Sequence, residues 1–449
     1  MIKKIFCIIA ISIFSSLLFS SCSSDSLILP ADSLLSPPLY YEEYEELVNS
    51  FNNSIDGETT LCSPKKGNYR SAIVVEDVDS DGNQEAVVFY KNTNDLSIAR
   101  MHYFDYVDDR WISFGDYNGY GSGIENLVIT DMDSDGKNEI LVLWNTSGSS
   151  SGNILSVYRI DMVTKKYKEI SNESCFLSEV VDIDGNGRKD IFLICQNNIQ
   201  NASQKVAKAM RLSGDSVVLF GETKLDPNIS TYTSVKTEKA SKESPMRIYV
   251  DALKGEQQMI TEVVYWDNSK SELCAPLLDA DTLTNAATLR YDPIDCYDIN
   301  NDGIIDIPVQ SSLFGKGDNL ITVDTENIYL TEWKSLTSSG LESVAYTLVN
   351  YQDGYMISLD ESEIGSLGIR NYRSQNCWIV YSADENGEPV NELYSVLKIP
   401  FAKWNTDKFA AYVPIIENED SVVCAFITSD GSSLGLNDEF VKSKIIKIS

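Results

Sequence analysis

One nine-residue pattern occurs four times in this chain, and its spacing constrains the fold more than any bulk property does. The copies are Asp77-Val-Asp-Ser-Asp-Gly-Asn-Gln-Glu85, Asp131-Met-Asp-Ser-Asp-Gly-Lys-Asn-Glu139, Asp182-Ile-Asp-Gly-Asn-Gly-Arg-Lys-Asp190 and Asp298-Ile-Asn-Asn-Asp-Gly-Ile-Ile-Asp306. Each has oxygen-bearing side chains at positions 1, 3 and 5, glycine at 6 and a carboxylate at 9. Short oxygen ligands on alternate residues converge on one hard cation, and the glycine permits the turn that brings the later carboxylate round to it. The candidate ligands are Asp77, Asp79, Asp81 and Glu85; Asp131, Asp133, Asp135 and Glu139; Asp182, Asp184, Asn186 and Asp190; and Asp298, Asn300, Asp302 and Asp306. No His or Cys lies inside any copy, so Ca2+ is expected rather than a softer metal, at about four sites.

EF-hand and dockerin loops share the first half of this pattern. They close with an acid at position 12 and sit between helices, whereas position 12 here is Val88, Val142, Leu193 or Val309. The flanks are short aliphatic and aromatic runs that read as buried strands: residues 71–75 enter the first copy, and 86–90, 140–144 and 191–195 leave the first three. First aspartates are 54 residues apart between Asp77 and Asp131, and 51 apart between Asp131 and Asp182, close to the period of a four-stranded blade. The next copy begins 116 residues on, at Asp298, which leaves room for a degenerate unit. Residues 246–251 lead into it and 259–266 lead out, with Ala252, Leu253 and Lys254 in place of the ligands. Five units are expected, four with metal loops and one without.

This strand–loop–strand repeat resembles the FG-GAP or VCBS repeat, the blade unit of calcium-loop β-propellers, over about residues 60–345. The resemblance implies an all-β-dominated chain with a five-bladed β-propeller over 59–344. A small C-terminal β-rich (α+β) domain is expected over 345–449, with strands at 355–359, 377–381, 393–399 and 422–427 and a closing helix at 438–444. The start at Asp353-Gly-Tyr-Met-Ile-Ser-Leu359, and the run at 63–72, are similar to uncharacterised secreted proteins of anaerobic Gram-positive bacteria.

The other end of the chain reads as a targeting segment. Lys3 and Lys4 precede an apolar run too short for a stable membrane span, so residues 1–21 are expected to be a signal peptide. Leu18-Phe-Ser-Ser-Cys22 resembles a lipoprotein lipobox, which implies acylation of Cys22 and an extracytoplasmic, membrane-anchored protein, or a secreted one without that lipid. Residues 22–38 are Ser-, Leu- and Pro-rich, as in a tether. Within 39–58, Tyr40, Tyr44, Leu47, Val48 and Phe51 share one face of an amphipathic helix that needs a partner, for which the propeller itself is the simplest.

Composition removes several functions. With 67 acidic and 36 basic residues the formal charge is −31, and no basic patch offsets it, so nucleic acid is not an expected partner. His102 is the only histidine and lies in a strand-like run, which excludes multi-histidine zinc sites and Ser-His-Asp catalysis anywhere else. Six Trp and 24 Tyr suit packing between sheets better than a sugar platform, for instance Tyr103 to Trp111 and Val157 to Tyr167 as outer hairpins. Once Cys7 and Cys22 are set aside seven cysteines remain, an odd number; Cys175 and Cys195 flank the third loop as a facing pair or as separate buried thiols. The region 197–242 is polar and reads as a flexible loop or a rim excursion.

The placed acids are all spent as metal ligands, so no catalytic residue and no small-molecule cofactor is expected. The favoured reading is a calcium-stabilised, surface-anchored scaffold that binds a protein or glycan partner. The alternatives are a propeller-type glycoside hydrolase or other carbohydrate-active enzyme, for which two or three funnel carboxylates suffice, and an envelope assembly accessory.

Overall fold

The structure, a computed structural model, describes residues 44–448 apart from 147–151, 162–163, 165, 200–201, 240, 242–243, 257, 313–327, 373–376, 386 and 405–406. The expected leader, Cys22 and the tether lie outside the described residues. Among the described residues no helix is long and apolar enough to cross a membrane.

The chain is dominated by antiparallel β-sheets that follow one another in sequence. Sheet one holds Ile73–Glu76, Glu85–Asn92, Asp95–Val107 and Arg110–Asn118, with Thr59–Leu61 also paired to Glu85–Asn92. Sheet two holds Gly123–Thr130, Glu139–Asn145, Asn153–Asp161 and Lys166–Cys175. Sheet three holds Leu177–Val181, Asp190–Ile199, Ala202–Ser213 and Ser216–Lys224, and sheet four Ile229–Glu238, Arg247–Lys254, Gln258–Asp267 and Glu272–Cys274. Sheet five runs Asp306–Ser312, Tyr329–Thr337, Gly340–Asn350, Tyr355–Leu359 and Ile445–Lys447; its first strand is reduced to a bridge between Tyr297 and Asp306. Sheet six gathers Leu367–Tyr372, Cys377–Ala383, Pro389–Pro400, Ser421–Ile427 and Val413–Glu417, in that spatial order.

The second strand of each early sheet is apolar on both faces because it is buried on both. In sheet one, Val87 and Phe89 pack on Ile140, Val142 and Trp144 of sheet two, while Leu141 and Leu143 on the other side of sheet two meet Ile191 and Leu193 of sheet three. Phe192 and Ile194 then meet Ile248 and Val250 of sheet four, whose Tyr249 and Val263 meet Ile307 of sheet five. Alternate side chains therefore join successive sheets like pages. The expected aromatics lie in these seams: Tyr103 meets Tyr167 edge-on at 4.7 Å and Phe89 meets Trp144 at 6.1 Å. Gly221 makes room for Trp266, since a Cβ there would sit 2.7 Å from the indole Cζ3.

Helix α1, Glu45–Ser54, covers the face of sheet one turned away from sheet two. Leu47 and Phe51 are buried on Ala86, Val88, Tyr90 and Phe104, the alternate residues to those facing sheet two. Among the described residues no apolar cluster joins sheet five to sheet one. At the other end, Leu348, Tyr355 and Ile357 of sheet five pack on Trp378, Val380 and Val396 of sheet six. Two short helices follow, α2 (Ser429–Ser433) and α3 (Asp438–Lys444), capped by Thr428 accepting from Gly431 N and Asn437 accepting from Phe440 N. Lys444 of α3 ties back to Asp360 at 2.9 Å and Glu363 at 2.7 Å.

Three expectations change. The boundary at 344/345 falls inside the strand Gly340–Asn350, and 355–359 pairs with that strand, so sheet five runs through Leu359. The region 197–242 is no loop: it supplies the outer strands of sheet three and the first strand of sheet four, because alternation hidden among its lysines and serines suffices for strands with one wet face. Residues 252–254 do not replace a metal loop, because Arg247–Lys254 and Gln258–Asp267 are the second and third strands of sheet four, joined by a hairpin at Gly255.

Those residues serve a buried polar clamp instead. Asp251 meets Arg290 at 2.7 Å with both side chains fully buried, and Thr261 Oγ1 donates to the same Asp251 oxygen at 2.6 Å. Lys254 meets Asp226 at 2.7 Å, while Asp226 N donates to Glu262, whose carboxyl burial pushes up to about 7. The clamp fastens the segment 285–297 to sheet four. Removing one partner of a buried pair leaves the other uncompensated, so Arg290→Ala is expected to cost about 3–5 kcal/mol in denaturant unfolding.

Candidate metal centres

The first three loops join the first and second strands of their sheets, and the fourth joins the Tyr297 bridge to the strand Asp306–Ser312, so no helix flanks any of them. The backbone is the same in all four. Position 6 is left-handed at Gly82, Gly136, Gly187 and Gly303 (φ 92°, 87°, 89° and 87°), and position 4 at Ser80, Ser134, Gly185 and Asn301 (φ 58°, 63°, 75° and 60°). The first aspartate accepts the position-6 N–H in every copy: Gly82 to Asp77 at 3.2 Å, Gly136 to Asp131 at 2.9 Å, Gly187 to Asp182 at 3.0 Å and Gly303 to Asp298 at 2.8 Å.

The ninth-position acid closes the loop. One oxygen accepts the backbone N–H of position 2: Val78 to Glu85 at 2.6 Å, Met132 to Glu139 at 3.0 Å, Ile183 to Asp190 at 3.1 Å and Ile299 to Asp306 at 3.1 Å. The second oxygens of Glu85, Glu139 and Asp190 are buried without a hydrogen-bond donor. Burial pushes Glu85 and Glu139 up to about 7 and Asp190 up to about 6, so ionised carboxylates there call for a cation.

Side chains converge in three loops. Asp77, Asp79, Asp81 and Glu85 bring ligand oxygens within 4.8 Å of one another, as do Asp131, Asp133 and Glu139, and Asp182, Asp184 and Asp190. All are hard oxygen donors, so these three clusters fit a metal ion. In the fourth loop the turn persists, but Asn300 Nδ2 donates to Asp302 at 2.9 Å and Ser335 Oγ to Asp306. Among the described residues Asp298, Asp302 and Asp306 do not converge in this way, so three of the four expected sites show gathered carboxylates.

Sequence reading missed what stands beside the ninth position on the third strand. Glu85 pairs with Asp105, and Asp306 with Ser335. Beside Glu139 and Asp190, one step beyond the Ile140–Tyr158 and Ile191–Met210 pairs, stand Arg159 and Arg211. Arg159 reaches Asp133 at 3.0 Å, Asp135 at 2.6 Å and Glu139 at 3.6 Å. Arg211 reaches Asp184 at 2.6 Å and Asp190 at 3.4 Å. Asp135 faces the arginine and is not among the acids of the second cluster. Counting hairpin register from the loops would have found both arginines.

In sheet four the loop position falls between Glu238 and Arg247, which pair across the strands where Thr130 faces Glu139 in sheet two. An internal ion pair, Arg247 to Glu238 at 3.0 Å, occupies the place of the ninth carboxylate, and Tyr249 OH donates to the same oxygen at 3.1 Å.

The first strands of sheets two, three and four, with residues 66–69, line a cavity of about 760 Å³. Asn145, Asn153, Ser178 and Thr233 contribute neutral polar groups, and two acids outside the loops, Glu125 and Glu179, also line it. Glu125 is paired with Lys66 at 3.0 Å, whereas burial raises the Glu179 carboxyl. His102 is buried and structural, with Nε2 2.8 Å from Ser113 Oγ. Cys175 and Cys195 are buried free thiols of one apolar cluster, and the other described cysteines are also unbonded.

No protein-family model matches the chain, and no curated protein does. Among solved structures it is similar to rhamnogalacturonan lyase YesW (10% identity, 74% of this chain and 76% of that one, TM-score 0.32). It is also similar to the Bacillus licheniformis rhamnogalacturonan lyase PL11 (10%, 81% and 80%, 0.30) and to the Pseudomonas aeruginosa periplasmic gluconolactonase PpgL (11%, 68% and 93%, 0.26). Likeness this loose carries no argument about chemistry.

Glu238→Ala is expected to lower the melting temperature equally with and without a chelator, because its partner is Arg247. Asp77→Asn is expected to lower it only when metal is present, and paired thermal melts distinguish the two.

Proposed function

We propose that the chain is a calcium-stabilised β-propeller of five blades, akin to FG-GAP/VCBS repeats, that acts outside the cytoplasm as a non-catalytic glycan-binding protein anchored through Cys22. The observation that carries the binding role is the cavity shared by the first strands of successive sheets, whose amides and hydroxyls suit a neutral polyhydroxylated ligand. Sheets one to five supply the five blades. The three carboxylate clusters support the calcium reading, since each gathers hard oxygen donors of the kind calcium takes. Bound metal would cancel carboxylate repulsion and couple binding to folding. Stripping calcium is therefore expected to lower the melting temperature of the full chain, and restoring it to raise it by several degrees.

Glycan binding is tested on an oligosaccharide array with the full chain in calcium. Ser178→Trp, which fills the cavity, is expected to abolish the binding while leaving the far-ultraviolet circular dichroism unchanged. Retained binding moves the ligand surface elsewhere. A second reading, a carbohydrate-active enzyme, is favoured by Glu125 and Glu179 lining one cavity. Glycan cleavage by the wild type that disappears in Glu179→Gln would replace the non-catalytic role.

A further inference from the structure

The loops differ less in their ligands than in the residue that faces them. A guanidinium enters loops two and three from the neighbouring strand, and both arginines are partly buried, with side chains 17% and 31% exposed. Each spreads one positive charge over several carboxylates, and Arg159 Nη1 also donates to Gly214 O at 2.7 Å, which ties loop two to the outer hairpin of sheet three. Arg211 lies with its guanidinium carbon 3.6 Å from the Phe220 ring centre, which holds it over Asp184 and Asp190.

These arginines do not exhaust the oxygens. Glu139 is fully buried and Asp190 is 1% exposed, yet Glu139 Oε1 and Asp190 Oδ1 have no hydrogen-bond donor. Nor does Arg211 Nε find an acceptor. The pairs are close enough to neutralise charge but too poorly aligned to satisfy the buried polar atoms. A carboxylate cluster in this state remains able to take a second cation.

We propose that Arg159 and Arg211 are resident counter-cations of loops two and three, which hold those loops together without metal and, by the same charge, weaken divalent-ion binding there. This rests on the calcium reading above and adds to it a division of labour within one repeat. A guanidinium a few ångströms from a divalent ion repels it, and Arg159 also engages Asp133 and Asp135, two of the expected ligands of loop two. Metal binding at these loops competes with an ion pair, so it is graded with calcium concentration rather than obligatory for folding.

The test is calorimetric titration of the metal-stripped full chain with Ca2+ alone. Arg159→Gln is expected to show one binding event that is new or at least about ten-fold tighter than in the wild type, since a single repulsive charge is removed. Arg159→Lys keeps the charge and is expected to retain the wild-type isotherm. Asp133→Asn added to Arg159→Gln is expected to abolish the gain, which assigns it to loop two. Without calcium, Arg159→Gln is expected to melt below the wild type and to recover when calcium is added. An unchanged Arg159→Gln isotherm, in a wild type that does bind calcium, overturns the counter-cation role and leaves the metal reading intact. No uptake by the wild type or any variant overturns both. Should Arg159→Gln fail to fold even in calcium, Arg211→Gln carries the same comparison for loop three, with Asp184→Asn as its control.

Discussion

Repulsion among carboxylates at the turn between the first and second strands is the constraint on which the rest of the structure depends. A tight αL turn with an acid at its end forces several negative oxygens into a space of a few ångströms, and the ninth acid is buried there. Such a turn needs positive charge or hydrogen-bond donors beside it. The protein meets this demand differently from sheet to sheet. Loop one gathers four acids in a site fit for a metal, and loops two and three add an arginine. Sheet four gives up the ligands for a Glu238–Arg247 pair, and in the fourth loop Ser335 donates to Asp306 and Asn300 to Asp302.

These turns matter to the whole molecule because they set register. The ninth acid begins the second strand of its sheet, and that strand is the one buried on both faces. A slip of one residue would exchange Val87 and Phe89, which face sheet two, for Ala86 and Val88, which face α1. Backbone hydrogen bonds from position 2 to the ninth acid prevent that slip locally. The same lock, present in sheets one, two, three and five, lets successive sheets present their faces in order.

Sheets one and five each pack on an element outside the series of five sheets. Sheet one uses a helix whose leucine and phenylalanine fill the hollow over Ala86, and sheet five uses sheet six, with Lys444 of α3 fastened to the acids after Leu359. Between sheets four and five the apolar contact of Tyr249 and Val263 with Ile307 is supplemented by the Asp251–Arg290 clamp, which fastens the intervening segment to sheet four. Apolar burial and ionic clamping thus act together along one architecture.

Much of this was legible in local pattern. The loops, the strands that leave them, the face of α1 at Leu47 and Phe51, and the helix at 438–444 all follow from spacing and periodicity, because each is decided by residues close in the chain. What tertiary structure alone decided involves partners far apart: Arg159 beside Glu139, Arg290 against Asp251, and the strands of 202–238, whose weak alternation becomes a sheet only when neighbours supply the pairing. The lost loop of sheet four was misplaced for the same reason, since its substitute is a pair across strands rather than a motif along one. A sequence displays which residues could bind a cation; which cation faces them depends on register between strands, and that is settled by long-range pairing.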